Sequence, residues 1–281
     1  MKNDRRLWLK GLAGLPLAMA LPARADALEA IREKGRLRIA VYNDFPPYSM
    51  AGGKGIDADI GRAIAERMGL AAEIVGFNAD EDMNDDLRNM VWKGHYLGSQ
   101  PADLMLHVPV DINLAKSNDK VRIFGAYHRE TLALARNPSR INALSGSAAV
   151  ALEIFTREKV GVETASLSDS FLLSVLNGRL RDNVVHFKTV ADAAQGLKDG
   201  QVSAVLAPRA ELEAALAGAS QFPIERPQLA ELKIEGWPLG MAVKVEEMAL
   251  AEAVTQALST LKGDGSLAAI FKRHGISFLP A

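Results

Sequence analysis

Residues 37–77 carry the pattern from which the fold class follows. Leu37-Arg38-Ile39-Ala40-Val41-Tyr42 is a largely apolar run of strand length, as a strand covered on both faces requires. Ile60, Ala63, Ile64 and Met68 then recur at helical spacing, and Gly69 closes that helix, since glycine takes a left-handed cap without steric cost. Ala72-Glu73-Ile74-Val75-Gly76-Phe77 returns to a strand pattern. A strand, a helix and a second strand in so short a stretch make the unit from which parallel sheets are built.

The same alternation continues along the chain. Residues 102–108, 131–135, 160–163 and 203–207 are further strand candidates. Thr189 can cap a helix with Asp192 three residues on, and Val190, Ala193, Ala194 and Leu197 line one face of it. Pro208 suits the first turn of a helix ending near Gly218. Leu250, Val254, Ala257, Leu258 and Leu261 form one stripe, and a Gly263-Asp264-Gly265 turn precedes a last helix over 267–274. This predicts an α/β fold with mostly parallel sheets. Ligands of such sheets bind at the carboxyl ends of strands, which directs attention to the loops after Tyr42, Val108 and Glu163.

The N-terminus has the pattern of an export signal. Lys2, Arg5, Arg6 and Lys10 form a positive region, an apolar stretch over 11–21 follows, and Ala23-Arg24-Ala25 offers small residues for cleavage before Asp26. The run Asp4-Arg5-Arg6-Leu7-Trp8-Leu9-Lys10 resembles a twin-arginine signal, although paired arginines also occur in general secretory signals. Residues 1–25 hold five basic side chains and one acidic one, so their removal takes the formal charge from −1 to −5. No later stretch reaches the roughly 18 apolar residues of a membrane span, and the expected location is the periplasm.

Composition excludes several classes. The chain has 281 residues and no cysteine, which removes disulfide scaffolds, thiolate metal centres and cysteine hydrolases. A charge near zero argues against nucleic-acid binding. The five histidines, His95, His107, His128, His186 and His274, show no ligand spacing on a helix, so neither metal nor cofactor is expected. No Gly-x-Ser-x-Gly elbow or phosphate loop is present. Ser145-Gly146-Ser147 has the composition of a turn, and no catalytic residue is assigned.

The order of segments resembles the family 3 solute-binding proteins, the polar amino-acid receptors of ABC importers. Asp44-Phe45-Pro46-Pro47-Tyr48-Ser49 is similar to the family's aromatic-Pro-Pro-aromatic loop, and Gly55-Ile56-Asp57-Ala58-Asp59-Ile60 to its Gly-Phe-Asp-Val-Asp-Leu. Ala102-Asp103-Leu104-Met105, Phe124-Gly125-Ala126-Tyr127, Val160-Gly161-Val162 and Leu239-Gly240-Met241-Ala242-Val243-Lys244 follow in the family's order. The resemblance implies a periplasmic-binding-protein-like class II fold. Its two lobes, with mixed, mainly parallel sheets, are joined by two crossing strands near 131–136 and 239–243. Lobe 1 would comprise 26–130 with 239–281, and lobe 2 would comprise 131–238. It further implies ligand capture by hinge closure in a monomer that delivers to an ABC permease.

Two family anchors depart from the pattern. The arginine that grips a ligand carboxylate has no counterpart, because residues 104–121 contain no arginine and only Lys116 and Lys120 as cations. The lobe 2 carboxylate that holds an amino group aligns with Pro208, and the helix-starting Gly-Ser-Thr appears as Ala165-Ser166-Leu167. The ligand is therefore expected to be a small organic molecule other than a standard α-amino acid. Otherwise Arg129 or Arg209 must substitute as the cation. Phe45, Tyr48, Tyr127 and Trp237 can supply aromatic faces to the cleft, or can pack in a core. Asp44, His107 and Asp111 can supply hydrogen bonds, as can His128, which can equally be structural at the hinge. Ser166, Ser168 and Asp169 lie near a helix start that favours an anion.

The loop over 92–103 is longer than the family's usual turn. With Trp92, His95 and Tyr96 between glycines, it resembles variants associated with pyrroloquinoline-quinone alcohol dehydrogenases. These are periplasmic accessory partners of the quinoprotein, and exposed aromatics suit such an interface. A third possibility is an enzyme of the dehydratase type on the same scaffold. It would need a perturbed acid or base in the cleft beside a carboxylate-binding cation.

Overall fold

The computed structural model describes residues 27–96, 98–144, 146–226 and 236–281. The expected export signal lies outside the described residues, as does Ser145. In chain order the strands are β1 (Arg36–Tyr42), β2 (Asp44–Phe45), β3 (Ser49–Met50), β4 (Ala71–Phe77), β5 (Leu104–Pro109), β6 (Val121–Arg136), β7 (Val160–Glu163), β8 (Val184–Phe187), β9 (Ala204–Pro208), β10 (Ile224–Glu225) and β11 (Gly236–Lys244). The helices are α1 (Ala27–Lys34), α2 (Ile56–Arg67), α3 (Met83–Leu87), α4 (Ile112–Ser117), α5 (Ala148–Ala151), α6 (Leu167–Ser174), α7 (Val190–Lys198), α8 (Arg209–Ala215), α9 (Met248–Gly263) and α10 (Ser266–Arg273).

The strand order β4-β1-β5-β11-β6-β9-β7-β8 places two sheets on a common strand. β6, 16 residues long, pairs with β11 over 121–131 and with β9 over 132–136. Its first part thus belongs to one sheet and its last part to the other. β1 runs parallel to β4 and β5, β7 runs parallel to β8 and β9, and the strands nearest the junction are antiparallel. The first sheet takes strands from both ends of the described chain, whereas the second takes only its middle. The start of β11 lies beside the junction, where Gly236, Trp237 and Pro238 oppose Thr131, Glu130 and Arg129. The junction therefore falls just before 239–243, and those residues are an inner part of the first sheet.

Alternation along the strands explains the layering. Leu37, Ile39 and Val41 face α2, α9 and α10 in one core, while Ala40 and Tyr42 face Leu87, Met90 and Val91 in another. In the second sheet Leu132 and Leu134 pack with Val160, Val162 and Leu206, and Ala133 and Ala135 pack with α7 through Ala193, Ala194 and Leu197. Both sheets are covered on both faces, which accounts for the apolar runs. The Thr189 cap is present, accepting from the Asp192 N–H at 3.1 Å, as is the buried stripe of α9.

One glycine fixes the entrance to the site. Gly55 has φ 111, and a Cβ there would fall 2.4 Å from the Tyr48 carbonyl oxygen. That close approach lets the Asp57 N–H donate to the same carbonyl at 2.8 Å, which ties the Pro-Pro loop to the first turn of α2.

Candidate functional site

A cavity of about 620 Å³ lies where the two sheets meet, within the range of small-molecule sites. The first sheet and its loops contribute Tyr42, Asp44, Phe45, Tyr48, Asn78, Met83 and His107, the middle half contributes Pro208 and Glu211, and the junction contributes Glu130 and Trp237. Trp237 also packs against cores of both halves.

The aromatic wall is built by the short hairpin of β2 and β3, whose pairing sets Phe45 opposite Ser49. Phe45 and Tyr48 stack at 5.9 Å between ring centroids, and the His107 ring packs edge-on to both, at 4.7 and 4.4 Å. His107 ends the inner part of β5 with φ 64, a conformation rare for a residue with a side chain. Its surroundings hold it there. Its Nδ1 lies 3.0 Å from the Asp57 carboxylate and its backbone N–H donates to the Tyr127 hydroxyl at 3.2 Å. The Tyr127 hydroxyl in turn donates to Asp57 at 2.7 Å. Asp57, wholly buried in the first turn of α2, is thus satisfied by two side chains. That contact leaves His107 with Nε2 as its remaining polar atom.

The opposite side is acidic. Glu130 is buried, accepts from the Tyr48 hydroxyl, and accepts from the Thr131 N–H at 2.7 Å. Burial pushes its pKa up, against the lowering effect of those bonds and of the Ala210 N–H. Burial likewise raises the pKa of Glu163. Glu211 goes furthest. Burial, then the charges of Glu163 and Glu130, push it up to about 8, with no hydrogen bond among the causes. Among the described residues, no lysine or arginine lines the cavity.

Of the residues singled out from sequence, the cavity brings together Asp44, Phe45, Tyr48, His107 and Trp237. Tyr127 lies just behind them, through Asp57. The others sit elsewhere. Arg129 is exposed because it alternates along β6 with Glu130, which takes the cleft face. Arg209 is held by Glu213 at 2.7 Å. Neither substitutes for the lost arginine within the cavity lining. Asp111 caps α4 through Asn113 and Leu114. Ser166 caps α6, and Asp169 is taken by the Ala165 N–H and by His186 at 2.9 Å. Ser168 is buried beside them. His128 packs on Phe271 at 4.4 Å, and burial pushes its pKa down to about 4, as befits a neutral core histidine. Trp92, His95 and Tyr96 form a separate surface, where Tyr96 is 88% exposed and its ring lies 4.3 Å from that of His95.

Sequence reasoning missed Glu130 and Glu211. Pro208 does reach the cavity, but three residues of α8 bring Glu211 back to the same side. A carboxylate therefore stands in the cavity wall one helical turn beyond Pro208. Helical spacing after Pro208 was the available signal. Among the described residues, no group of three or more histidine and acidic side chains is arranged to hold a metal ion, and no helix is long and apolar enough to cross a membrane.

No family model matches the chain, and no curated protein matches it either. Solved structures do. An ancestral cationic amino acid solute-binding protein superposes with TM-score 0.68 at 19% identity, over 88% of this chain and 98% of that one. An amino acid ABC transporter substrate-binding protein from Streptococcus pneumoniae, bound to L-arginine, gives 0.61 at 17% identity over 91% and 100%. An ancestral amino acid-binding protein described as a precursor of cyclohexadienyl dehydratase gives 0.57 at 18% identity over 89% and 99%. At such identities the likeness establishes the fold, which is that of the solute-binding proteins.

Proposed function

We propose that the chain is a periplasmic solute-binding protein that captures a small organic ligand in this cavity by closing its two halves, and delivers it to an ABC permease. We take residues 26–130 and 239–281 as lobe 1 and residues 131–238 as lobe 2. The supporting observation is the lining itself. Phe45, Tyr48 and His107 from one half face Pro208 and Glu211 from the other, across β6 and Trp237. A ligand touching both walls favours the closed state by its differential contacts. The fold shared with ABC substrate-binding proteins and the signal-like N-terminus point the same way.

A thermal-shift screen with amines, amino acids, carboxylic acids and alcohols tests this. At about 100-fold excess over Kd a ligand adds roughly 2.7 kcal/mol, or about 5–10 °C in a domain of this size. A rise with one solute class that disappears in Trp237→Ala supports the reading. No rise with any class defeats it.

Exposed Tyr96 favours a second reading, an accessory role beside a pyrroloquinoline-quinone alcohol dehydrogenase. Co-purification with such an enzyme that is lost in Tyr96→Ala would support that reading. Glu211 is also the perturbed acid that an enzyme of the dehydratase type would use. Elimination from a carboxylated substrate needs a cation to hold it, however, and the cavity lining has no lysine or arginine.

A further inference from the structure

Resting on the solute-binding reading, we infer that the cavity selects an organic ammonium ion with an apolar body and no carboxylate, its charged head against Glu211 and its body against Phe45, Tyr48 and Trp237. Independent observations carry this. The lining holds three carboxylates, Asp44, Glu130 and Glu211, and neither lysine nor arginine. Its apolar surface includes four aromatic side chains, Tyr42, Phe45, Tyr48 and Trp237, beside Met83, Pro208 and Leu239, and π-faces attract cations. Glu130 already spends its oxygens on Tyr48 and Thr131, whereas no donor among the described residues reaches the Glu211 carboxyl. A ligand carboxylate would enter beside acidic groups with no cation to offset its lost hydration. An alcohol would gain nothing from the carboxylates beyond an ordinary hydrogen bond.

Capture of the cation is coupled to a proton. Glu211 faces Glu163 on β7 and Glu130 on β6, and across the cavity lie Asp44, Tyr48 and His107. Its own helix adds Arg209 and Glu213, which pair with each other. Near neutral pH, Glu211 carries a proton in the free protein. An ammonium ion takes that proton's place, and the proton leaves to solvent. One proton released per ligand tightens binding about tenfold per pH unit below 8, and the dependence flattens above it.

Calorimetric titration of the full-length protein with four molecules of one skeleton tests the assignment. These are phenethylamine, 2-phenylethanol, 3-phenylpropionate and L-phenylalanine. Phenethylamine, protonated throughout pH 6–9, is expected to bind at least tenfold more tightly than each of the others, and more tightly as pH rises to 8. Glu211→Gln, which keeps the shape of the protonated acid, should weaken it at least tenfold and remove the pH dependence. In Glu163→Gln the amine should still bind, with the pH midpoint lowered. The inference is overturned if the acid or the amino acid binds best, or if Glu211→Gln leaves amine affinity unchanged. Binding by another solute class without the amine overturns it while leaving the solute-binding reading intact. Binding by no class defeats both.

Discussion

Asp57, wholly buried, and Glu211, half-buried at the wall, are carboxylates beside the same cavity, and they are treated in opposite ways. Asp57 receives the Tyr127 hydroxyl at 2.7 Å and His107 Nδ1 at 3.0 Å. It is part of the scaffold that holds His107 at φ 64 and the aromatic hairpin against it. Glu211 receives no such donors and has two acids for neighbours, so its proton takes the place of a partner. A partnered carboxylate fixes geometry, and an unpartnered one at a cavity wall is a candidate for recognising charge.

The comparison breaks most visibly at Asp57. Asp57→Ala strands Tyr127 and His107 and should cost about 3 kcal/mol or more, a fall of roughly 6–12 °C in melting temperature. An unchanged melting curve would mean that the network carries no stability. Tyr127→Phe removes one donor and should cost about 1–2 kcal/mol by urea unfolding.

Glu211→Gln should move stability the other way, increasingly as pH rises from 4.5 to about 8. The folded pKa of Glu211 lies above the ordinary carboxyl value, so the folded state holds a proton that the unfolded chain releases near 4.5. Stability from this site is complete below 4.5 and is lost as pH rises through about 8. The variant lacks that loss and should melt higher than wild type at pH 9, with little difference at pH 5. Arg129→Ala, on the outer face, should change stability by less than about 0.5 kcal/mol and leave ligand affinity alone. A loss of binding there would restore Arg129 as the carboxylate anchor.

Much of the fold was legible because it rests on short-range patterns. The 37–42 run, the Thr189 cap and the stripe from Leu250 to Leu261 follow strand or helix periods that packing did not overturn. Phe45, Tyr48 and Trp237 were legible as candidates for the cavity wall because their large flat side chains sit on the loop and the strand that border it. The acidic side of the cleft was hidden for local reasons. Arg129 and Glu130 are adjacent, and only the parity of β6, fixed by its neighbours, decides which faces the cavity. Pro208 marks the end of β9, but the carboxylate arrives one turn into α8. The pairing of His107 with Asp57, 50 residues apart, is a product of the tertiary fold.

The most direct test follows the side-chain carboxyl carbon of Glu211 by 13C NMR from pH 4 to 10, in the free protein and with phenethylamine. The account predicts a midpoint near 8 when free, and a lower one with the amine bound. A free midpoint near 4.5, or one that the amine does not move, would contradict it.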